Sequence, residues 1–260
     1  MKIAIIGYGK MGKMTEQAAL AKKHTISAIC DPLLAGTVSA SGAVIYKNIK
    51  DIKNPGELDA AIEFTVPATA VANIQLLANL KIPAVVGTTG WHDKLDVVKK
   101  AVNDAGSSLL WASNFSIGVN IFYRIAWHAA QLMDSFPEYD IGGFEAHHNK
   151  KLDSPSGTAR TLVEGVLARS GRKKKVIWET LNRAPNPDEI HYPSLRIGAV
   201  PGTHNLIFDS AADTIELTHT ARSRDGLASG AVNAAEWLTG HGKRAGVYTI
   251  DDMLKDMLGI

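Results

Sequence analysis

Residues 2–6 form a short apolar run that breaks directly into Gly7-Tyr8-Gly9-Lys10-Met11-Gly12 and then into a stretch of helix formers at residues 11–20. A strand that turns through GxGxxG into a helix leaves few architectures open, because each glycine has a steric duty. Gly7 permits the tight turn, Gly9 lets backbone approach a pyrophosphate, and Gly12 lets the helix pack closely on the strand. The helix start offers unpaired N–H groups and the positive end of its dipole to phosphates. A second short run, residues 27–30, ends at Asp31, 24 positions after Gly7. That is close to the spacing of a carboxylate that holds adenosine ribose hydroxyls. Gly7, Tyr8, Gly9, Lys10, Met11, Gly12 and Asp31 are therefore expected to bind a dinucleotide. Pro32-Leu33-Leu34 follow with no adjacent Arg or Lys to receive a 2′-phosphate, so NADH is expected over NADPH.

Further strand patterns at residues 60–64, 84–86 and 108–111 alternate with helical segments at 69–80 and 93–105. Alternation of this kind predicts a Rossmann-type doubly wound parallel sheet with helices on both faces. After about residue 117 the pattern changes to strands at 138–145, 176–181, 194–199, 204–210 and 213–221 with one or two helices, which predicts an α+β domain with a mixed open sheet. Helical segments at 230–239 and 249–257 are expected to return to the first sheet. The domains are thus 1–117 with 225–260 for the dinucleotide, and 118–224 for substrate binding and oligomerisation.

Composition removes other classes. Charged residues make up 21%, the formal charge is +2, and no apolar run has the length of a membrane span. Neither nucleic acid nor a membrane is an expected partner, and the cytoplasm is the expected location. The basic run Arg172-Lys173-Lys174-Lys175 reads as a solvated loop beyond a helix end. The one cysteine, Cys30, falls in an expected buried strand and reads as an inert core thiol.

Two segments at strand ends add to the cofactor site. Gly87-Thr88-Thr89-Gly90 follows one strand and Ala112-Ser113-Asn114-Phe115 ends another, both where open α/β sheets bind ligands. The most informative stretch is Glu145-Ala146-His147-His148-Asn149-Lys150-Lys151-Leu152-Asp153-Ser154-Pro155-Ser156-Gly157-Thr158-Ala159. Ser156 is a suitable N-cap for a helix whose apolar positions are Ala159, Leu162, Val163, Val166 and Leu167. Gly157 and Thr158 then offer first-turn N–H groups and a hydroxyl to a carboxylate. Two imidazoles and two ammonium groups in the preceding loop suit an anion and can donate protons. No metal site is expected, since adjacent histidines beside lysines do not form a recognisable ligand set.

That stretch is similar to the signature of dihydrodipicolinate reductases, Glu-x-His-His-x-x-Lys-x-Asp-x-Pro-Ser-Gly-Thr-Ala, with every fixed position present. Phe64-Thr65-x-Pro67, the Gly-Thr-Thr-Gly turn, Asn114-Phe115-Ser116-x-Gly118-Val119-Asn120 and Thr218-His219-x-Ala221-x-Ser223-Arg224 extend the resemblance over most of the chain. The glycine loop is one residue shorter than the GxxGxxG of many members, and Leu227 stands where an aromatic is common. The resemblance implies His147 as catalytic histidine, Lys151 as proton donor, and His148, Gly157 and Thr158 as contacts to the carboxylate of a small dicarboxylate substrate. It places cofactor contacts at Gly7 to Gly12, Asp31, Gly87, Thr88, Thr89, Ala112, Ser113, Asn114 and Phe115. It implies reduction of 4-hydroxy-tetrahydrodipicolinate, with loss of water, to tetrahydrodipicolinate for lysine and diaminopimelate synthesis by a homotetramer using NADH or NADPH. Whether His147 or Lys151 delivers the proton is open at this point. The rival readings are another two-domain reductase, such as an amino-acid dehydrogenase, and a dinucleotide sensor without turnover.

Overall fold

The computed structural model describes residues 1–240 and 245–259. The chain divides into two compact units, Met1–Ser116 with Asp225–Ile260, and Ile117–Arg224. Unit 1 begins with β1 (Lys2–Ile6), α1 (Lys10–Ala21), β2 (Thr25–Cys30), β3 (Ile45–Tyr46), β4 (Ala60–Glu63), α2 (Pro67–Asn79), β5 (Ala84–Val86), α3 (Leu95–Asp104) and β6 (Ser108–Trp111). Unit 2 holds α4 (Ile117–Met133), β7 (Asp140–His147), α5 (Gly157–Leu167), β8 (Lys175–Ile177), β9 (Glu189–His191), β10 (Ser194–Arg196), β11 (Thr203–Asp209) and β12 (Thr214–Thr220). The chain then returns to unit 1 as α6 (Asp225–Gly240), β13 (Gly246–Thr249) and α7 (Ile250–Leu258).

Unit 1 is built on one sheet ordered β13-β6-β5-β4-β1-β2-β3, in which every pairing is parallel. Strands covered on both faces must be apolar throughout, and β1 is buried from Ile3 to Ile6. Ala4, Ile6, Ala61, Val86 and Leu109 share a core with Ile74 and Leu77 of α2 and Val98 and Val102 of α3. The alternate residues Ile3, Ile5, Ile62, Val85 and Leu110 are equally buried on the opposite face. Strand order reverses between β1 and β4, and a sheet of this kind binds its ligand at that reversal, beyond the carboxyl ends of the strands.

Unit 2 is a mixed sheet ordered β12-β11-β7-β9-β8, with β10 also pairing β7. Its core joins Val119, Phe122, Tyr123 and Ala126 of α4 and Ala159, Leu162, Val163 and Val166 of α5 to Ile141, Ile190, Leu206 and Phe208 of the strands. The i, i+3, i+4, i+7 pattern expected for α5 is the buried one, and Ser156 caps it by accepting the Ala159 N–H at 3.1 Å.

The fold is the one expected, while several details differ. Strands β3, β9 and β13 have no counterpart in the sequence reading, and the strands expected at 176–181 and 194–199 end at Ile177 and Arg196. The basic run is solvated only in part: Lys174 and Lys175 are exposed, but Arg172 is half-buried and Lys173 buried. Lys173 is 2% exposed, its Nζ bonded to the Asp140 carboxylate and, at 2.9 Å each, to the Pro187 and Glu189 carbonyls. Arg172 bonds the Met133 carbonyl at 3.1 Å, so this cation does serve a helix end, but that of α4. Oxygens brought in by distant segments replace water around both groups, which local composition does not reveal. Cys30 is buried in β2, and burial with the nearby Asp51 charge pushes its thiol up to about 12. Among the described residues no helix is long and apolar enough to cross a membrane.

Candidate active site

The glycine turn sits at the end of β1, beside the strand-order reversal. Gly7 has φ +90°, and a Cβ there would lie 2.2 Å from the Phe64 carbonyl oxygen that follows β4. A Cβ at Gly12 would lie 2.1 Å from the Gly7 carbonyl oxygen, so α1 approaches its own strand too closely for any side chain. Gly9 differs, because nothing of the protein lies within 4 Å of an added Cβ. Gly9 is also the N-cap of α1, with no side chain capping that end. Uncapped N–H groups beside empty space fit a phosphate group, in keeping with a helix start used as an anion site.

Gly9, Lys10 and Met11 line a cleft of about 380 Å³ together with Phe64, Thr65, Pro67, Gly87, Thr88 and Thr89. The two glycine-bearing turns predicted from sequence thus meet in one cleft. Side chains hold the second turn in place: the Trp91 indole donates to the Thr88 carbonyl at 2.7 Å, and the Thr65 N–H donates to the Thr88 hydroxyl at 2.7 Å. A Cβ at Gly87 would lie 2.0 Å from the Phe64 ring, so this glycine makes room for the ring. Glu63, fully buried at the end of β4, accepts from the Thr65 hydroxyl and from the Asn73 amide at 3.3 Å, and burial raises its carboxyl above the usual range.

Asp31 closes β2 with its carboxylate turned to the glycine loop, accepting the Tyr8 N–H at 2.9 Å and the Leu33 N–H at 3.0 Å. Tyr8 contributes backbone here; its buried side chain donates to Glu16, which also receives the Ser39 and Ser41 hydroxyls at 2.5 and 2.6 Å. Ala112 and Phe115 are buried and Ser113 is exposed after β6, outside the cleft lining. The Phe115 ring meets Phe64 edge-on at 6.4 Å, which ties this segment to a loop that does line the cleft.

In unit 2 the signature residues gather at the end of β7 and the start of α5. Glu145 and His147, two apart on one strand, share a face. Antiparallel β11 sets His204 opposite Glu145, and parallel β10 sets Ser194 opposite Glu145 and Arg196 opposite His147. The Glu145 carboxylate is fully buried. Its Oε1 accepts the Ser156 N–H at 3.0 Å, the Ser194 hydroxyl at 2.7 Å and an Arg196 N–H at 3.1 Å. Its Oε2 faces His147 Nδ1 at 3.4 Å and His204 Nδ1 at 4.0 Å. Burial raises this carboxyl, but the bonds from Ser156 and Ser194 and the His147 charge outweigh it and hold it below the usual range. Burial lowers His147, Lys151 and Arg196 add to that, and Glu145 opposes it. Burial also brings His204 down to about 4.

His147 Nε2 abuts Gly202, where an added Cβ would lie 3.0 Å away. Lys151 Nζ donates to both Asp153 oxygens at 2.8 and 2.9 Å, and His148 follows β7 half-buried. Gly157 is exposed, and nothing of the protein lies within 4 Å of a Cβ added there. The sequence alone gives no site role to Glu145 within its motif, nor to Arg196, Gly202 or His204. A Glu and a His two apart in a strand is the one local signal of a buried polar face; the other partners arrive through strand pairing. Glu145, His147 and His204 bring ligand-type atoms within 4.8 Å of one another, the grouping that sequence did not supply. Arg196 already counters the Glu145 charge there, which suits hydrogen bonding to imidazole better than a cation.

A doubly wound sheet with a phosphate-suited glycine turn at its strand-order reversal, joined to an α+β unit carrying a histidine and lysine cluster, defines a pyridine-nucleotide-dependent oxidoreductase. Family models described as dihydrodipicolinate reductase, N-terminus and C-terminus, match residues 1–115 and 118–254. The chain belongs to the dihydrodipicolinate reductase family. It is 38% identical to the 4-hydroxy-tetrahydrodipicolinate reductase of Christiangramia forsetii over 99% of both chains, and 32% identical to that of Methanoregula boonei over 97% of both. Its fold resembles a dipicolinate-bound dihydrodipicolinate reductase from Paenisporosarcina sp. TG-14, with TM-score 0.77 and 21% identity over 96% of this chain and 97% of that one.

Proposed function

We propose that this chain reduces 4-hydroxy-tetrahydrodipicolinate, with loss of water, to tetrahydrodipicolinate in lysine and diaminopimelate synthesis. The observation that carries the reading is the full-length relationship to reductases named for that substrate, coupled with the signature residues gathered at the end of β7 and the start of α5. A bound reduced nicotinamide supplies hydride. Unit 1 holds the cofactor: the start of α1 takes the pyrophosphate, Asp31 the adenosine ribose, and Gly87 to Thr89 with Ala112 to Phe115 the nicotinamide half. The Asp31 carboxylate repels a 2′-phosphate, which supports NADH as the preferred cofactor.

Unit 2 holds the dicarboxylate. First-turn N–H groups at Gly157 and Thr158, with the Thr158 hydroxyl, bind one carboxylate, and His148 adds a contact. Lys151 gives up the proton that the reduced ring takes. His147 works in its protonated form, presenting Nε2–H to charge displaced onto the ring. Its lowered affinity for protons is offset by the negative charge of the substrate. Unit 2 also carries assembly into a homotetramer, and the enzyme works in the cytoplasm. The test is oxidation of NADH and NADPH on adding the freshly made product of the preceding synthase. Oxidation that needs this substrate and is faster with NADH supports the reading; no oxidation with either cofactor refutes it.

A further inference from the structure

A fully buried carboxylate whose two oxygens face different tasks stands at the centre of unit 2. Glu145 Oε1 is saturated by Ser156, Ser194 and Arg196, and the Ser156 N–H it accepts belongs to the N-cap of α5. Glu145 Oε2 has no such partner, nor do His147 Nδ1 and His204 Nδ1, which are the two nitrogens facing it. A buried anionic oxygen requires donors. The nearer donor is the His147 ring nitrogen at 3.4 Å, while His204 Nδ1 at 4.0 Å lies beyond hydrogen-bond reach. The His147 nitrogen that turns to Glu145 therefore carries the hydrogen, which in a neutral imidazole leaves the opposite nitrogen bare. For His147 the bare nitrogen is Nε2, the atom beside Gly202.

We propose that Glu145 is a positioning residue that acts in two directions: its Oε2 fixes His147 in the Nδ1–H form and stabilises that ring when Nε2 takes a proton, while its Oε1 anchors the start of α5 where the substrate carboxylate binds. This inference rests on the reading that His147 works in its protonated form. Sheet register enforces the arrangement, because β10 and β11 flank β7 and deliver Ser194, Arg196 and His204 to one carboxylate. The charged and titratable groups acting on His147 are Glu145 on its own strand, Arg196 on β10, His204 on β11, and Lys151 and Asp153 in the following loop. Of these Glu145 is the anion within reach of Nδ1 and Lys151 and Arg196 oppose it, so removing the Glu145 charge disfavours the imidazolium.

Glu145→Gln is the informative variant. An amide oxygen at the Oε1 position keeps the three donors that anchor Ser156, Ser194 and Arg196, while the amide NH2 replaces Oε2 and donates where it should accept. His147 must then turn an unprotonated Nδ1 to the amide and carry its hydrogen on Nε2. The expected result is a fall in kcat of about 10-fold or more, in keeping with the large losses when a histidine's carboxylate partner becomes an amide. The substrate KM should stay within about 3-fold, because the helix anchor survives, and the limb of the pH profile set by His147 should move to lower pH. A purely structural Glu145 would alter thermal stability and leave that limb in place.

Nitrogen-15 NMR of the wild-type enzyme, with the His147 signals identified by their loss in His147→Gln, reads the tautomer without any Glu145 variant. Nδ1–H supports the proposal and Nε2–H overturns it. An unshifted pH limb in Glu145→Gln overturns it as well, as does chelator-treated enzyme that regains activity only with Zn²⁺, which would assign the three atoms to a metal. The two ideas fail separately. Full turnover in His147→Gln would remove the underlying reading, whereas lost turnover there with an unchanged Glu145→Gln profile would remove only this inference.

Discussion

Gly157→Ala separates a ligand site from an ordinary helix start, because the protein itself gives no reason for glycine at that position. Gly157 is the first residue of α5, exposed, with nothing within 4 Å of an added Cβ. Inside the fold the substitution is therefore neutral or favourable, since alanine in a helix is worth roughly 0.5–1 kcal/mol over glycine. Against a bound carboxylate the new methyl meets the ligand and displaces one hydrogen bond to a charged group, a loss of about 1.5–3 kcal/mol. The substrate KM should rise about 10-fold or more, at roughly 1.4 kcal/mol for each factor of ten, with the melting temperature unchanged or higher. Steady-state kinetics and a thermal melt on the same preparation make the comparison. Thr158→Val should behave alike in kinetics by removing a hydroxyl donor. Both variants at wild-type KM would refute the assignment of the α5 start to the substrate, and a drop in melting temperature in Gly157→Ala would refute the reading of the empty space around it.

His147→Gln should lower turnover by about 100-fold or more with little change in cofactor affinity, since a donor placed at developing charge is commonly worth about 10²- to 10³-fold; near-normal turnover would take His147 out of the mechanism. Asp31→Ala should weaken NADH binding by roughly 1–3 kcal/mol and narrow the gap to NADPH. Part of that loss reflects the glycine loop, which Asp31 holds through the Tyr8 N–H, so dissociation constants that change equally for both cofactors would assign the residue to the loop alone. His204 predicts a pH dependence of stability. Burial depresses it from 6.5 to about 4, so the unfolded chain binds a proton in that window that the folded chain does not. Its contribution is complete above pH 6.5 and is lost as pH falls towards 4, by roughly 3 kcal/mol. His204→Gln should flatten denaturant stability measured across that range, and an unchanged slope would show that other groups set it.

How much of this was legible depended on whether the physical cause was local. Gly7 and Gly12 announce themselves because a turn and a close helix–strand approach demand glycine within six residues, and the structure supplies the colliding atoms, Phe64 O and Gly7 O. The α5 start was legible for the same reason, a cap and its helix being adjacent in sequence. Strands β3, with two residues, and β9, Glu-Ile-His, were not, because neither shows an apolar alternation long enough to register. Strand β13, Gly-Val-Tyr-Thr, joins the far edge of the first sheet beside β6 and carries little pattern of its own. The partners of Glu145 were hidden differently. Periodicity states that a strand exists but not which strand it pairs with, and Ser194, Arg196 and His204 meet Glu145 only through the register of β10 and β11 on β7. Lys173 shows the converse error: a charge in a basic run looks solvated until distant carbonyls and Asp140 close around it.

Isotope transfer tests the central claim most directly. Reduced nicotinamide carrying deuterium on one face of its transferring carbon is incubated with the enzyme and freshly made 4-hydroxy-tetrahydrodipicolinate, and the product is examined by mass spectrometry. The account predicts tetrahydrodipicolinate heavier by the mass of the label from one stereoisomer of the cofactor and unlabelled product from the other, with one cofactor oxidised per product formed. Label absent from the product with both stereoisomers, or cofactor oxidised without tetrahydrodipicolinate appearing, would contradict it.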